Sequence, residues 1–230
     1  MPKKKIQLKG LTKYRKPGKG LQERMLFLQG AFKNIHQVGS ILPSSQAVAQ
    51  TMTQMMRQRP SPRRILEVGA GTGPITARIV REMRPGDHLD IYEIDPKFTA
   101  FLTERFLREP KFQRVADQVV IHTAGIEEID PQEQYDIIIS AVPFTNLPPD
   151  AVRNFFETYR AILKPDGVLT YIDFVFGRAI FRIFSRKDEK LRLKKVDKVV
   201  RGYVDAYEIK KRIVPFNAPP ARIRSLRFDE

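Results

Sequence analysis

Residues 65–73 read Ile-Leu-Glu-Val-Gly-Ala-Gly-Thr-Gly, and the fold assignment begins with this stretch. Its apolar first half, which carries Glu67, is typical of a short buried strand, and the residues that follow the stretch are typical of a helix. Between them Gly69, Gly71 and Gly73 stand at alternate positions. Glycine adopts positive φ readily, and without a Cβ it lets a ligand come close to the main chain. The free N–H groups of the next helix favour a negatively charged group. The stretch therefore predicts a strand, a tight ligand-binding turn and a helix.

A second acidic residue follows one strand–helix unit later. Residues 88–94 form the next predicted strand, and Glu93 near its end lies 20 positions after Gly73. An acid at the tip of the second strand is where Rossmann-type folds hold the hydroxyl groups of a ribose. The two motifs together predict a ligand that contains a ribose.

Strands and helices alternate along most of the chain, which indicates a mostly parallel sheet with helices on both faces. The predicted strands are 64–68, 88–94, 118–122, 135–140 and 167–174, and the predicted helices are 74–84, 96–108 and 149–163. Residues 164–167 (Lys-Pro-Asp-Gly) predict the turn into the fifth strand, and residues 207–215 and 221–228 read as a terminal antiparallel pair. The expected fold class is α/β, a Rossmann-like sheet with a C-terminal antiparallel strand and an N-terminal helical extension.

The chain divides into three predicted segments. Residues 1–20 form a basic, flexible arm, because they hold many lysines and few large apolar groups. Residues 21–60 hold N-terminal amphipathic helices, the first with an apolar stripe through 21–36 and the second over about 44–56. Residues 61–230 form the main domain, with a basic helical insert at about 176–200.

Composition limits the kinds of partner. The chain has 230 residues, a net charge of +15, no cysteine and three histidines without metal-ligand spacing, so neither a disulfide nor a metal site is predicted. Basic clusters in residues 1–20 and 178–201 attract nucleic acid or an anionic membrane surface. No apolar run approaches the about 20 residues that span a bilayer, and the N-terminus lacks the features of a secretory signal. We therefore expect a cytoplasmic location.

The pattern Glu-x-Gly-x-Gly-x-Gly, followed by Glu-Ile-Asp-Pro at residues 93–96, resembles the class I (Rossmann-like) S-adenosylmethionine-dependent methyltransferases. The resemblance implies that S-adenosylmethionine is the cofactor and S-adenosylhomocysteine the product. It implies further that Glu67 holds the amino group of the cofactor and Glu93 its ribose hydroxyls. The other cofactor-binding positions it implies are Gly69, Ala70, Gly71, Thr72 and Gly73 in the turn, Ile94 after the second strand, and Ala124, Gly125 and Ile126 after the third.

The end of the fourth predicted strand, residues 140–144 (Ser-Ala-Val-Pro-Phe), looks like the element with which amine-modifying methyltransferases hold the target nitrogen. We expect Ser140 and nearby carbonyl groups to accept hydrogen bonds from an amine. Pro143 belongs to the same element, and Phe144 is expected to stack on a base or to face a methylated ammonium, a contact worth about 0.5–2 kcal/mol. These three are the predicted catalytic residues. The alternative is an ordinary strand end with Phe144 in the core.

Residues 38–45, 140–144 and 217–223 resemble segments of the bacterial phospholipid N-methyltransferases, which methylate phosphatidylethanolamine toward phosphatidylcholine. The resemblance implies an aminophospholipid substrate and an enzyme that binds an anionic membrane surface peripherally, from the cytoplasm. The basic arm and the amphipathic helix supply that attraction, at about 1 kcal/mol per basic residue near the surface. Residues expected near the substrate opening are His36, Ser44, Ser45 and Arg222.

Two other functions fit the same sequence. Adenine-N6 methyltransferases of ribosomal RNA share the glycine motif and Glu-Ile-Asp, and a net charge of +15 suits RNA. Residues 140–144 and Ala124 depart from the pattern of that family, so RNA is the less favoured partner. A membrane- or RNA-binding protein that retains only the fold would transfer no methyl group. Methyl transfer to lipid or to RNA separates the three functions.

Overall fold

A computed structural model of the protein describes residues 43–174, 187–215 and 220–228. Within these ranges the strands are β1 (Arg64–Val68), β2 (His88–Glu93), β3 (Val119–Thr123), β4 (Tyr135–Ser140), β5 (Leu163–Phe174), β6 (Glu208–Val214) and β7 (Ala221–Leu226). The helices are α1 (Pro43–Met52), α2 (Pro74–Glu82), α3 (Pro96–Arg108), α4 (Pro110–Gln113), α5 (Pro149–Ile162) and α6 (Lys187–Tyr207). Short 3-10 turns occupy Gln54–Gln58, Ala116–Gln118, Ile126–Glu128 and Phe144–Asn146.

The seven strands form one sheet in the order β3-β2-β1-β4-β5-β7-β6. Strands β1 to β5 pair in parallel, whereas β7 runs antiparallel to both β5 and β6. The predicted fold class, a mostly parallel α/β sheet with an antiparallel C-terminal part, is confirmed. The chain leaves β1 toward β2 and β3 on one side and returns with β4 on the other. Ligands of open α/β sheets bind beyond the carboxyl ends of the strands at such a switch point, and we call this edge of the sheet the mouth.

Local sequence explains where the helices start. Pro74, Pro96 and Pro149 each lie in the first turn of a helix, where a missing N–H costs nothing and the fixed φ suits helical backbone. Asp95 caps α3, because its side chain accepts a hydrogen bond of 2.9 Å from the Lys97 amide. Two residues of the Glu-Ile-Asp-Pro motif are thus accounted for by helix initiation alone, which leaves Glu93 as the residue available to a ligand.

Two apolar layers hold the sheet in place. Helices α1, α2 and α3 cover one face, where the buried side chains include Met52, Ile79, Leu102, Phe106 and Ile137. Helices α5 and α6 cover the other face, where they include Leu66, Ile138, Phe156, Tyr159 and Val196. Because the central strands are buried on both faces, they read as continuous apolar runs.

Several predicted boundaries differ from the structure. Strand β5 begins at Leu163, which already pairs with Tyr135, although residues 164–167 were predicted as a turn. The predicted turn residues form an irregularity within β5. Asp166 adopts the left-handed conformation, with φ of 63°, and the pairing register between β4 and β5 shifts after Tyr135. The predicted helix over about 44–56 ends at Met52 and continues as a 3-10 turn.

The predicted basic insert at 176–200 is only partly described. Its described part is α6, which continues to Tyr207, seven residues further than predicted. Residues 175–186 lie outside the described residues, as do the basic arm at 1–20, the amphipathic helix at 21–36 and residues 217–219 of the tail.

Candidate active site

The glycine turn follows β1 at the mouth. Gly69, Gly71 and Gly73 have φ of 75°, 55° and 80°, so all three adopt the left-handed conformation that glycine favours. The Gly69 amide donates to the Tyr92 carbonyl at 2.9 Å, and the Gly73 amide closes the turn on the Ala70 carbonyl at 2.9 Å. A Cβ on Gly73 would lie 2.5 Å from Leu102 Cδ2. Both backbone conformation and packing therefore require glycine at this position, and the predicted tight turn is confirmed.

Glu93 connects this turn to the end of β2. Its Oε2 accepts a hydrogen bond from the Gly71 amide at 2.9 Å, and its Oε1 accepts one from the Asp95 amide at 3.0 Å. Burial raises the pKa of Glu93, while these backbone hydrogen bonds lower it in part. The carboxylate is thus oriented by two backbone amides at the mouth, where a ribose ligand of such a fold lies.

Glu67 differs from Glu93 because it is only weakly hydrogen-bonded: among the described residues the amide and hydroxyl of Thr76 lie near its carboxyl group, but outside good hydrogen-bonding geometry. It is fully buried on β1, and within the described part of the chain neither carboxyl oxygen reaches hydrogen-bonding geometry. Burial raises the pKa of Glu67 to about 8; nearby Thr76 offsets this in part, and the negative charge of Glu93 adds to it. A buried carboxyl group without a well-formed hydrogen bond is costly. The site therefore favours a ligand that carries a cation.

The end of β3 adjoins Glu93 at the end of β2. The Ala124 amide donates to the Glu93 carbonyl at 3.1 Å, and the Gly125 amide donates to Glu128 Oε1 at 3.3 Å. Ile126 is buried and Ile94 is half-buried. The predicted adenine-contacting residues therefore lie beside Glu93, with small and apolar side chains. Their contact with a ligand stays a prediction.

The predicted roles of the Ser140 and Phe144 side chains do not fit the structure. Ser140 is fully buried, and its Oγ accepts a hydrogen bond of 2.9 Å from the hydroxyl of Tyr159 on α5. The Phe144 ring is 4% exposed and lies 5.1 Å and 5.4 Å, between ring centroids, from Phe156 and Tyr171. Because the two side chains belong to the core, neither presents a free surface to an amine. The alternative interpretation, a core Phe144, is correct.

The end of β4 contributes main-chain groups to the mouth. The Ala141 amide donates to the Val68 carbonyl at 2.9 Å, so residues 141–143 lie beside the start of the glycine turn. Pro143 is buried there and precedes the 3-10 turn at Phe144–Asn146. A target amine near this strand end would therefore meet backbone groups.

The predicted substrate-opening residues are spread more widely. Arg222 on β7 pairs in register with Asp173 of β5, and its Nη1 lies 3.5 Å from Asp173 Oδ2. Arg222 lies toward the mouth, with β5 and β4 between it and β1. Ser44 and Ser45 lie in the first turn of α1, but their side chains are outside what the structure describes, as is His36.

Three residues of the site could not be predicted from the sequence. Thr76 lies close to Glu67, Tyr159 holds Ser140, and Arg105 donates to the carbonyls of Thr72 and Gly73. All three are helical residues whose neighbours come from distant parts of the chain, and no local motif marks them.

The glycine turn, the two buried acids and the parallel sheet with its antiparallel end define a class I S-adenosylmethionine-dependent methyltransferase. Residues 65–167 match the family described as methyltransferase domain. The chain is 30% identical to the ornithine lipid N-methyltransferase of Singulisphaera acidiphila over 173 residues, 72% of this chain and 86% of that protein. The chain belongs to the class I S-adenosylmethionine-dependent methyltransferases, as the resemblance of the sequence implies.

Solved structures agree on the fold. An O-methyltransferase from Bacillus cereus in complex with S-adenosylhomocysteine has a TM-score of 0.60 at 16% identity, with 93% of each chain covered. The O-methyltransferase TomG from Streptomyces achromogenes, in complex with S-adenosylmethionine, has a TM-score of 0.57 at 13% identity, with 94% of this chain and 92% of that chain covered.

The residues present fit S-adenosylmethionine, the methyl donor of this family. The amino acid portion of the donor carries an ammonium group, which suits the buried, weakly hydrogen-bonded carboxyl of Glu67. Its ribose carries two hydroxyl groups, which suit the oriented carboxylate of Glu93. The three left-handed glycines leave space along the main chain between these acids. The predicted cofactor is therefore confirmed, and Glu67 and Glu93 are the residues that would hold its two polar ends.

Proposed function

We propose that the protein methylates the headgroup amine of a membrane aminophospholipid, converting phosphatidylethanolamine toward phosphatidylcholine. The observation that carries the proposal is the similarity to an ornithine lipid N-methyltransferase at 30% identity over 72% of this chain. That relative, by its name, methylates nitrogen on a lipid. An amine at the end of a lipid is the feature that phosphatidylethanolamine shares with such a substrate.

Methyl transfer depends more on how the chain aligns donor and acceptor than on reactive side chains. S-adenosylmethionine supplies a methyl group already activated by a sulfonium. The carbon–sulfur bond breaks as the nitrogen–carbon bond forms, and the amine has to arrive without its proton. Glu67 and Glu93 would fix the donor, and the main chain at residues 141–143, held to Val68, would border the path of the amine. Holding both reactants in line is a large part of the rate enhancement for such a transfer.

The described surface at the mouth suits a membrane. Leu191 on α6 is 55% exposed, and the next residue, Arg192, donates to the carbonyls of Thr145 and Leu147 after β4, which places Leu191 toward the mouth. Ile213 near the mouth end of β6 is 57% exposed. Exposed basic side chains accompany them, namely Lys194, Lys195, Lys211 and Arg212. Apolar side chains flanked by lysine and arginine are typical of peripheral binding to anionic lipid.

Peripheral attachment on the cytoplasmic side is part of the proposal. Among the described helices, none combines the length and the apolar character that a bilayer span requires. A lipid headgroup would then reach the mouth from the membrane surface, while the donor enters from water. RNA is the alternative polyanion for the same basic surface, and the experiment below includes it.

Methyl transfer to defined acceptors tests the proposal. The full chain is incubated with methyl-labelled S-adenosylmethionine and one of four acceptors: vesicles of phosphatidylglycerol with phosphatidylethanolamine, with ornithine lipid, or with neither amine, and total RNA. We expect label in phosphatidylethanolamine, none in phosphatidylglycerol or RNA, and much less label in phosphatidylethanolamine with a Glu67→Gln variant at limiting donor concentration. Label confined to ornithine lipid would change the substrate, label confined to RNA would refute lipid action, and no label would favour a non-catalytic role.

A further inference from the structure

Arg105 on α3 reaches from the third turn of its helix to the glycine turn. Its Nη1 donates to the Thr72 carbonyl at 2.9 Å and to the Gly73 carbonyl at 3.1 Å. Gly73 caps α2 with φ of 80°, and its carbonyl also accepts the first helical hydrogen bond, from Ala77 at 3.0 Å. One guanidinium therefore holds the last two residues of the turn from the side of α3.

The guanidinium is itself held on its other edge. Nε donates to Glu109 Oε1 at 2.6 Å, Nη2 donates to Glu109 Oε2 at 3.3 Å, and the Phe112 ring centroid lies 4.3 Å from the guanidinium carbon. The side chain is 16% exposed. A planar fork that is paired with a carboxylate and stacked on a ring has little freedom left, so its remaining N–H groups point in a fixed direction.

Fixing these carbonyls also fixes the peptide planes of the turn. The Thr72 carbonyl shares a rigid plane with the Gly73 amide, which donates to the Ala70 carbonyl. The two hydrogen bonds from Arg105 therefore stabilise the left-handed conformation at Gly73 and the path of the main chain along which the donor lies. Glycine alone permits that path, but it permits many others as well, because glycine loses more conformational freedom on ordering than any other residue.

Arg105 also contributes a positive charge near the buried carboxyl group of Glu67. That charge lowers the pKa of Glu67, against the effect of burial. Exposed Arg108, three residues further on the same helix, pairs instead with Glu104 at 3.2 Å. The two arginines share a helix and differ in whether they contact the turn.

We propose that Arg105 is a positioning residue for the methyl donor, which it serves by holding the Thr72–Gly73 main chain in its binding conformation and by keeping positive charge near Glu67. A purely structural role, in which Arg105 only joins α2 to α3, predicts lower stability with unchanged donor affinity in the protein that remains folded. The proposal concerns donor binding and holds whether the acceptor is a lipid or RNA.

Calorimetric titration with S-adenosylhomocysteine tests this role without any acceptor. The variants are Arg105→Met, Arg105→Lys and the matched control Arg108→Met, each measured between pH 6 and 9 alongside its unfolding temperature. We expect Arg105→Met to weaken binding about tenfold at pH 8, because the Thr72–Gly73 main chain loses the two hydrogen bonds that hold it in the binding conformation. Arg108→Met should bind as the parent chain does.

The pH dependence of binding distinguishes the positioning role of Arg105 from a purely structural role. With Arg105→Met, the acid limb of the binding profile should move to higher pH, because Glu67 gives up its proton less readily without that charge. Arg105→Lys should restore the acid limb but not the full affinity, since an ammonium lacks the planar fork. Parental affinity and parental pH profile in folded Arg105→Met, or in Arg105→Lys if the methionine variant does not fold, would overturn the proposal.

Discussion

The carboxyl groups of Glu67 and Glu93 lie close enough at the mouth for the negative charge of Glu93 to raise the pKa of Glu67. The two carboxyl groups differ in their hydrogen bonds. Glu93 accepts two backbone hydrogen bonds, whereas Glu67 has no partner in hydrogen-bonding geometry among the described residues. A ligand with one cationic group and one pair of hydroxyls complements both. The donor site therefore carries a cost to the protein that ligand binding relieves.

Substitution of Glu67 should separate stability from binding. The pKa of Glu67 is raised from its ordinary value of 4.5 to about 8, so the folded protein keeps a proton that the unfolded chain releases. The contribution of this group to the free energy of unfolding is fully present below about pH 4.5, and it is lost as the pH rises toward 8. Glu67→Gln should therefore be more stable than the parent chain at pH 8, by on the order of 4 kcal/mol for a pKa raised from 4.5 to about 8, and nearly unchanged at pH 4.5.

The same variant should bind S-adenosylhomocysteine at least about tenfold more weakly, because a charge-assisted contact with the ammonium is lost. Scanning calorimetry and titration calorimetry measure the two effects. Exposed Glu104 supplies the control, and Glu104→Gln, which removes an exposed ion pair with Arg108, should leave binding unchanged and stability within about 0.5 kcal/mol. A Glu67→Gln variant that is less stable at pH 8, or that binds with parental affinity, would contradict the assignment.

Asp90 should make the opposite contribution to pH-dependent stability. Burial would raise its pKa, but hydrogen bonds from His122 and His88 outweigh burial and hold the pKa well below its usual range. Tyr135 and Arg64 add hydrogen bonds of 3.1 Å each. The stabilisation is present above about pH 3.8, the pKa of the unfolded state, and is lost as the pH falls through the lower folded-state pKa.

Asp90→Asn should accordingly cost about 1–3 kcal/mol at pH 7, with the difference shrinking below about pH 4. Denaturant unfolding at a series of pH values measures this. Glu104→Gln, which removes only an exposed ion pair with Arg108, should cost less than about 0.5 kcal/mol. Equal costs for the two variants at pH 7 would show that the Asp90 cluster does not stabilise the fold.

Substitutions of Ser140 and Tyr159 test whether the Ser140 hydroxyl stabilises the core, as the structure indicates, or holds the target amine. Ser140→Ala leaves the buried Tyr159 hydroxyl without its acceptor, and Tyr159→Phe removes that hydroxyl. We expect Ser140→Ala to cost about 1–3 kcal/mol, and a double-mutant cycle to give a coupling energy of at least about 0.5 kcal/mol. The KM for the methyl acceptor should change little in either variant. A raised KM in Ser140→Ala alone would restore the predicted amine-holding role of its hydroxyl.

Particular residues show where prediction from sequence succeeds. The glycine turn, Glu67 and Glu93 could be predicted because left-handed backbone and a charged residue inside an apolar strand are local and rare features. The alternation of strand and helix patterns along the chain is equally local, so the sequence predicts the strands of the sheet with boundaries that mostly agree with the structure. Arg105 and Arg108 could not be told apart, because both are basic residues of α3 and only packing against the turn distinguishes them. Phe144 was misassigned for the same reason, since its aromatic neighbours come from α5 and β5.

Membrane binding can be tested with pairs of residues that differ mainly in position. Ile213 and Ile209 are both exposed on β6, at 57% and 45%, but Ile213 lies toward the mouth and Ile209 toward the opposite end of the sheet. Leu191 on α6 and Leu107 near the end of α3 are each 55% exposed. If the mouth faces the bilayer, only Ile213 and Leu191 insert into it.

The double variant Leu191→Ser with Ile213→Ser should therefore lower partitioning onto anionic vesicles by about tenfold or more, because two apolar side chains lose their burial in lipid. The control double variant, Leu107→Ser with Ile209→Ser, should partition as the parent chain does. Sedimentation with phosphatidylglycerol vesicles at low salt measures both, and titration with S-adenosylhomocysteine verifies that each variant retains its donor site. Equal losses in the two double variants would mean that no single face of the domain docks on the membrane. Unchanged partitioning in both would assign membrane attachment to parts of the chain other than these side chains.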